Sequence, residues 1–231
     1  MNTQSHVIMG ALLFGKPLPR LTWAGAAGGL IPDLPMYVII AGLRMRGYSL
    51  DTIFRELYWE DWWQIANAIG HSFLLWGGLA VASLIALRRQ HVAEKHAASP
   101  HPIRAAYAQG GAWAMALAVS ASALLHSLID MACHRNDGHM HFWPLSNWRF
   151  VSPVSYWDPA HYGTAFSLFE ATLGLLMAVL LFFRYKNSGV RLVLALLVIA
   201  YVAVPLFYVW TLSGHDHRPP QGGEVQPPPI V

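Results

Sequence analysis

Charged side chains are scarce in this chain of 231 residues. Asp, Glu, Lys and Arg make up only 12% of it, against about 25% in a typical soluble domain, while 55% of the residues are hydrophobic. This balance predicts an integral membrane protein, and the length fits one compact domain.

Other absences narrow the class further. A single cysteine, Cys133, excludes an internal disulfide. The net charge is +3, but there is no basic stripe, because Lys and Arg cluster at the ends of apolar runs, where they set membrane topology. We therefore expect no nucleic-acid partner. No internal repeat is visible.

Long apolar runs are what the sequence has in quantity. A membrane-spanning helix needs about 20 apolar residues, and the following runs reach that length: 68–87, 108–130, 165–184 and 190–212. They predict an all-α fold, a polytopic membrane helical bundle with about four long transmembrane helices. We assign residues 1–214 to this single domain and expect a disordered Pro/Gly-rich tail over 215–231.

The N-terminal region is different. Residues 6–15 are too short to span a membrane, "KPLPR" turns the chain, and the apolar segment 21–43 is broken by "IPDLP", where proline ends or kinks a helix. We predict a helical hairpin over 5–33, which a re-entrant arrangement would also satisfy, with 34–43 completing the crossing. Such broken backbone survives at membrane depth only when it is buried in protein or lines a wet cavity.

Positive charge in the loops predicts the orientation. Segments 88–104 and 184–191 are rich in Lys and Arg, which places them in the cytoplasm. By alternation, 44–67, 131–164 and the tail face the outside, which is the periplasm for a bacterial inner membrane. We therefore predict a multi-pass inner-membrane protein whose active site faces the periplasm.

Ionisable residues of the apolar segments gather at that outer side. His126 and Asp130 are four residues apart, so they share a helix face and can reach one ion. Counted from the hairpin turn and the helix ends, the others lie at a similar depth. An ionisable group inside a membrane is costly and usually has a partner. The predicted metal ligands are His6, Asp33, His71, His126 and Asp130.

Three imidazoles and two carboxylates suit zinc, with manganese or iron as other choices. If one coordination position stays open, the metal lowers the pKa of bound water and supplies hydroxide. The next segment adds candidates for a second metal or for acid–base catalysis: His134, Asp137, His139 and His141. Of these, Asp137 is the first candidate for the general base.

Aromatic residues crowd 58–63 and 143–157, where they fit an interfacial belt or a platform that holds a lipid beside the metal. Arg149 lies in the second segment, and a guanidinium group matches the geometry of phosphate. The predicted catalytic group is Asp137, His139, His141 and Arg149. The predicted partner is a membrane lipid or a lipid-linked substrate.

Each residue alone has an ordinary explanation. His6 could be an ordinary polar residue near the start of the chain. His71 could hydrogen-bond a neighbouring helix, and Asp33 could cap the helix that follows it. The histidines of 134–141 fit a solvated loop. It is the gathering of several such residues at one depth that favours a metal site.

The order of short blocks along the chain resembles a known family. "SHVIMG", "GGLIPDLP", "GHSFLLW", "LLHSLIDM" and "FWPLSNWRFVSP" lie within residues 5–155. They look like the YdjM-type family of LexA-regulated inner-membrane proteins, described as metal-dependent hydrolases. The resemblance implies metal ligation by the five predicted ligands. The same assortment is similar to that of soluble, helical zinc phospholipases C.

Two departures from the family pattern concern the substrate. The family's usual "PDxD" is "PDLP" here, so Pro35 replaces a second carboxylate. The segment "ANAIGHS" also lacks the His-Arg pair expected before His71. Arg149 or the histidine-rich loop would have to compensate for these losses.

The leading expectation is a metal-dependent hydrolase, phosphoesterase- or phospholipase-like, that cleaves an ester or phosphoester of a phospholipid or other lipid-linked substrate. Two other classes stay open. One is a b-type haem protein ligated by His71 and His126, against which the neighbouring aspartates argue. The other is a metal transporter or sensor, against which the one-sided position of the site and the lack of repeats argue.

Overall fold

The structure is a computed structural model that describes residues 1–16, 18–93 and 101–212, with side chains everywhere except at 91–93, 202 and 204–212. The tail predicted over 215–231 lies outside the described residues. Within the described part of the chain all regular structure is helical, which confirms the predicted all-α class.

The α-helices of the described residues are, in order, α1 (Thr3–Phe14), α2 (Pro19–Leu30), α3 (Leu34–Met45), α4 (Leu50–Arg55), α5 (Asp61–Gly70), α6 (Phe73–Ala93), α7 (Pro102–Ala108), α8 (Ala112–Cys133), α9 (Gly163–Arg184) and α10 (Ser188–Leu212). Short 3-10 turns lie at Ile31–Asp33, Leu57–Trp59 and Pro159–His161.

The helices form a membrane bundle. Four helical stretches are long and apolar enough to cross a membrane: Pro19–Met45, Asp61–Gln90, Ala112–Cys133 and Gly163–Arg184. α10 adds a shorter apolar helix over Ser188–Tyr201. Three of the four predicted long helices overlap these stretches, and the fourth corresponds to α10.

The predicted N-terminal hairpin is present as α1 and α2. α1 has 12 residues and is therefore about 18 Å long, too short to cross a bilayer. α2 passes through the 3-10 turn at Ile31–Asp33 into α3, so the "IPDLP" segment interrupts the helix but does not reverse the chain. Pro32 and Asp33 in this turn are buried, whereas α3 has no buried residue.

Glycines bring α1, α2 and α8 into close contact. A side chain on Gly10 would clash with the Gly25 carbonyl, and one on Gly29 would clash with the His6 carbonyl. Ser122 of α8 donates to the Gly25 carbonyl at 2.7 Å. Small residues of this kind let membrane helices approach until their backbones touch. This packing fixes the position of α1 relative to α8.

The first long helix differs from the prediction of one uninterrupted run over 68–87. It begins at Asp61 and breaks at His71, between α5 and α6. At the break the indole of Trp76 donates to the Gly70 carbonyl at 2.6 Å, and the Phe73 amide donates to the His141 carbonyl at 2.9 Å. Partners from outside the helical ladder satisfy the interrupted backbone, which is how a break is tolerated inside a bundle.

Candidate metal centre

Four polar side chains converge where the helices are irregular. Asp33 lies in the 3-10 turn between α2 and α3, and His71 lies at the break between α5 and α6. His126 and Asp130 are one turn apart on α8. One ligand atom from each of the four residues lies within 4.8 Å of all the others, so four of the five predicted ligands, all except His6, form one group.

The distances between these atoms fit a small tetrahedral cation. Nε2 of His126 is 3.0 Å from Oδ2 of Asp130, and Nε2 of His71 is 3.5 Å from the same oxygen. Both Nε2 atoms are 3.5 Å from Oδ1 of Asp33. Four ligands bound to zinc at 2.0–2.1 Å would be about 3.3 Å apart. These four nitrogen–oxygen distances are therefore close to the spacing of ligands around a small tetrahedral cation.

The hydrogen bonds of the two imidazoles point to the same conclusion. Nδ1 of His71 is 2.9 Å from the Asn67 carbonyl, and Nδ1 of His126 is 2.9 Å from the Gly29 carbonyl. A carbonyl only accepts, so Nδ1 carries the hydrogen, and in the neutral ring Nε2 is left with a lone pair. Both Nε2 atoms are buried and have no hydrogen-bond partner among the described residues, although carboxylate oxygens are close.

Lone pairs that face each other at 3.0–3.5 Å repel unless a metal cation or a proton lies between them. The side chains are also withdrawn from water, since 2% of the Asp130 side chain and 11% of the Asp33 side chain are exposed. Two carboxylates in such surroundings need compensating positive charge, and the Met1 amino group, 2.6 Å from Oδ1 of Asp130, supplies only part of it. The residues present thus fit a divalent metal with imidazole and carboxylate ligands.

His6 lies beside this set of four and contacts it from α1. Its Nε2 is 2.9 Å from Oδ1 of Asp130, the oxygen that faces away from His71 and His126. Its ring stacks on the His126 ring, with 3.6 Å between centroids. Thr3, one turn earlier, donates to Oδ2 of Asp33 at 2.5 Å. α1 therefore orients both carboxylates from behind.

A second group with metal-ligand atoms lies on the other side of Asp130. It consists of Asp130, Cys133 and His134, all buried, with one atom from each within 4.8 Å of the others. The Met1 amino nitrogen lies among them, 2.6 Å from Oδ1 of Asp130 and 3.0 Å from the Cys133 sulfur. Cys133 thus has a polar contact in the fold.

The comparison with known families agrees with this architecture. The chain matches the YdjM inner membrane protein family over residues 1–212, which is longer than the segment 5–155 on which the resemblance was based. The chain belongs to the YdjM inner membrane protein family. It is accordingly an inner membrane protein, as predicted. No curated protein and no solved structure gives a match to it.

The histidine-rich loop of this YdjM-family chain packs on the metal centre. His139 is buried and its ring stacks on the His71 ring at 3.8 Å between centroids. Nδ1 of His141 is 3.0 Å from the His71 carbonyl, so His141 holds the backbone at the helix break. Burial lowers the pKa of His141 to about 4 and the pKa of His139 far below its usual range, so both rings are neutral at pH 7.

Asp137 is placed to orient His134. Its Oδ2 accepts from the Trp157 indole at 3.2 Å and lies 3.1 Å from Nδ1 of His134. Burial alone would raise the pKa of Asp137, but the neighbouring His134 outweighs it and the pKa is lowered. Asp137 is therefore ionised at neutral pH, and the imidazole is its nearest basic group.

Arg149 connects α5 to residues 134–162, the loop between α8 and α9 that is predicted to face the outside (the outer loop). One guanidinium nitrogen, Nη1, donates to the Gly138 carbonyl at 2.5 Å and to the Gln64 amide oxygen at 2.9 Å. Burial lowers the pKa of Arg149. Gly138 precedes His139, whose ring stacks on that of His71, so Arg149 is hydrogen-bonded to the loop that packs on the candidate site. None of the four predicted catalytic residues belongs to the set of four candidate ligands; His139 and His141 contact His71 directly, whereas Asp137 and Arg149 bond residues outside the set.

Sequence reasoning missed two polar residues that bond to the site or its surroundings, Thr3 and Gln64, and one buried acid of α9, Glu170. Thr3 and Gln64 give no recognisable signal, because their roles depend on partners far away in the sequence. Glu170 did give one, since it is the single acidic residue of the apolar run 165–184. An acid in such a run needs a buried partner.

Proposed function

We propose that this protein is an integral-membrane metal-dependent hydrolase that cleaves an ester or phosphoester of a phospholipid or other lipid-linked substrate near the periplasmic face. The observation that carries the proposal is the pair of buried Nε2 atoms, on His71 and His126, that face two carboxylates at the spacing of zinc ligands. Zinc suits this donor set best, and manganese or iron would also accept it.

Asp33, His71, His126 and Asp130 would hold the metal, and His6 would orient Asp130 through its other oxygen. A metal bound here supplies a nucleophile by lowering the pKa of a water molecule toward neutrality. Catalysis needs an open coordination position, whereas four protein ligands fill a tetrahedron. Asp33 is the most exposed of the four side chains, so water and substrate would enter on its side.

The surrounding residues would act on the substrate. Nε and Nη2 of Arg149 make no hydrogen bond within the described residues, so the free edge of the guanidinium can bind a phosphate. Asp137 and His134 form an acid–base pair beside Asp130. His139 and His141 are neutral and buried, and they would exclude water from the far side of His71. Arg149 favours a phosphoester over a carboxylic ester.

The two alternative classes fit this geometry less well. A haem ligated by His71 and His126 needs a porphyrin between the rings, but their centroids are 5.1 Å apart and both Nε2 atoms already face Asp33 and Asp130. A transport site lies near the midplane between repeated halves. The four-residue set instead lies next to the outer loop, which supplies His139.

The test is hydrolysis by the purified protein in lipid nanodiscs, with a 4-nitrophenyl phosphodiester and with fluorescent phospholipid as probes. We expect turnover that chelation removes and zinc restores. His126→Ala should abolish turnover. His161→Ala is the matched control, since His161 pairs with Asp158 outside the site.

Turnover that survives complete chelation, or that is equal in His126→Ala, would contradict metal-dependent catalysis. Cleavage of carboxylic esters alone would retain the hydrolase and reject the phosphoester. Zinc binding without cleavage of either kind of probe would favour the non-hydrolytic metal-binding class.

A further inference from the structure

Glu170 is a buried carboxylate for which the proposed reaction has no use. It lies on α9 with 1% of its surface exposed, inside a segment that is apolar enough to span the membrane. A carboxylate removed from water in this way needs hydrogen-bond donors in place of its hydration. All the donors described for Glu170 come from the first turn of α1.

Both oxygens of Glu170 are used. Oε1 accepts from the backbone N–H of Asn2 at 2.7 Å and from the Ser5 hydroxyl at 2.5 Å, and Oε2 accepts from Nδ2 of Asn2 at 3.0 Å. Asn2 occupies the N-cap position of α1, but its side chain makes no capping hydrogen bond. Glu170 therefore caps α1 from another helix, and its charge faces the positive end of the helix dipole.

The same turn of α1 carries the two contacts to the metal centre. Thr3 bonds Asp33 and His6 contacts Asp130, as described above. Residues three apart share a helix face, so Asn2 and Ser5 lie on one face while Thr3 and His6 lie on another. The turn is thus held between Glu170 behind it and the two aspartates in front.

α10 completes this arrangement. The Tyr201 hydroxyl is 2.7 Å from the Ser5 hydroxyl. To reach it, Tyr201 crosses α9 at Gly174, where any side chain would overlap the tyrosine ring. Gly174 is one turn after Glu170, so both residues lie on the same face of α9. Three helices therefore meet at Ser5, next to the metal centre and yet outside it.

We propose that Glu170 is a positioning residue of the metal centre. By capping α1 it fixes the height and rotation of the first turn, and through Thr3 and His6 it holds the carboxylates of Asp33 and Asp130 in their cation-binding orientation. The inference rests on the proposed metal site and adds a group that touches neither metal nor substrate. Partners that orient metal ligands commonly contribute about tenfold to hundredfold in affinity.

Zinc affinity, measured by competition with a chromophoric chelator, tests the role of Glu170. We expect Glu170→Ala to weaken zinc binding about tenfold to hundredfold. Glu170→Gln should weaken it less, because the amide oxygen still accepts from Asn2 and Ser5. Thr172→Ala is the matched control, since Thr172 lies exposed on the same helix and bonds only within it; it should leave the affinity unchanged.

A double-mutant cycle with His6→Ala separates positioning from general stability. If Glu170 acts through the first turn of α1, the loss caused by Glu170→Ala should shrink markedly once His6 is absent. Hydrogen exchange of the zinc-free protein supplies a readout without metal, and Glu170→Ala should accelerate exchange at residues 3–7 ahead of the rest of α1. Ser5→Ala and Glu170→Gln serve in its place if Glu170→Ala does not fold.

Equal zinc affinity in wild type, Glu170→Ala and Glu170→Gln would overturn the inference, and so would losses from Glu170→Ala and His6→Ala that simply multiply. A wild type that binds no zinc contradicts the proposed function itself. A wild type that binds zinc, with Glu170 variants that behave like Thr172→Ala, contradicts only the role of Glu170.

Discussion

His71 and His126 each direct one ring nitrogen to a backbone carbonyl and the other to two carboxylates. The first contact fixes the tautomer and the ring orientation, and the second leaves a lone pair that needs a cation. The backbone carbonyls are therefore as much a part of the site as the ligands. The backbone of His71 is fixed as well, because Nδ1 of His141 donates to the His71 carbonyl.

His141→Phe should weaken zinc binding without unfolding the protein. The phenyl ring can retain the stacking on Phe73, 4.6 Å between centroids, but it loses the hydrogen bond to the His71 carbonyl. We expect a loss of about tenfold to hundredfold in zinc affinity, measured by chelator competition. An affinity equal to that of the wild type would show that the helix break at His71 needs no support from the loop.

Arg149→Lys should separate substrate binding from metal binding. Lysine keeps the positive charge but cannot bond Gly138 and Gln64 while presenting a planar edge to a phosphate. We expect kcat/KM for a phosphodiester probe to fall roughly 10²-fold while zinc content stays constant. Arg135→Lys is the control, since within the described residues Arg135 donates to the Ser152 carbonyl and to no group of the candidate site. An equal loss on an uncharged ester would exclude phosphate recognition.

The candidate metal ligands could be identified at this scale because few ionisable residues lie inside the apolar segments and each of them needs a partner. The sequence could not show which oxygen of Asp130 each histidine contacts. His6 contacts Oδ1 of Asp130, whereas His71 and His126 face Oδ2. This arrangement depends on side-chain rotation. The partners of Thr3 and Glu170 are likewise brought together only by the folded bundle.

Among the elements, the short hairpin α1–α2 orients the side chains of the site. It places His6 beside Asp130, and its Gly29 carbonyl accepts from Nδ1 of His126. Its packing relies on glycine at positions where backbones touch. The hairpin was predictable from the length of the first apolar run and from the prolines. The break at His71 was not, because the partners that stabilise it come from Trp76 and from the loop that carries His141.

Gly29→Ala should destabilise the protein and weaken zinc binding together. Alanine normally favours a helix by about 1 kcal/mol over glycine, but here its methyl group would overlap the His6 backbone, at a cost of about 1–3 kcal/mol. The shift would also lengthen the bond between His126 and the Gly29 carbonyl. The measurement is the apparent melting temperature in detergent, with and without zinc.

Gly77→Ala is the matched control for this change. Gly77 lies within α6, and a side chain there would meet no atom within 4 Å. We expect its melting temperature to be unchanged or raised. Equal behaviour of the two variants would mean that the contact between α1 and α2 does not set the geometry of the metal centre.

At the scale of the whole molecule, the distribution of Lys and Arg predicts that the metal centre opens to the periplasm. Ser146 is exposed in the outer loop, and Lys186 is exposed between α9 and α10. In a Cys133→Ser background, Ser146→Cys should react with a membrane-impermeant maleimide in intact cells, whereas Lys186→Cys should react only after lysis. The reverse labelling pattern would place the site in the cytoplasm.

The most direct test of the metal centre is elemental analysis of the purified protein, wild type against Asp130→Ala. Asp130 offers one oxygen to His71 and His126 and the other to His6, so its loss removes the residue that connects the ligands. We predict about one zinc-type ion per chain in the wild type and almost none in the variant. A folded wild type without metal, or a folded Asp130→Ala with as much metal as the wild type, would contradict the account.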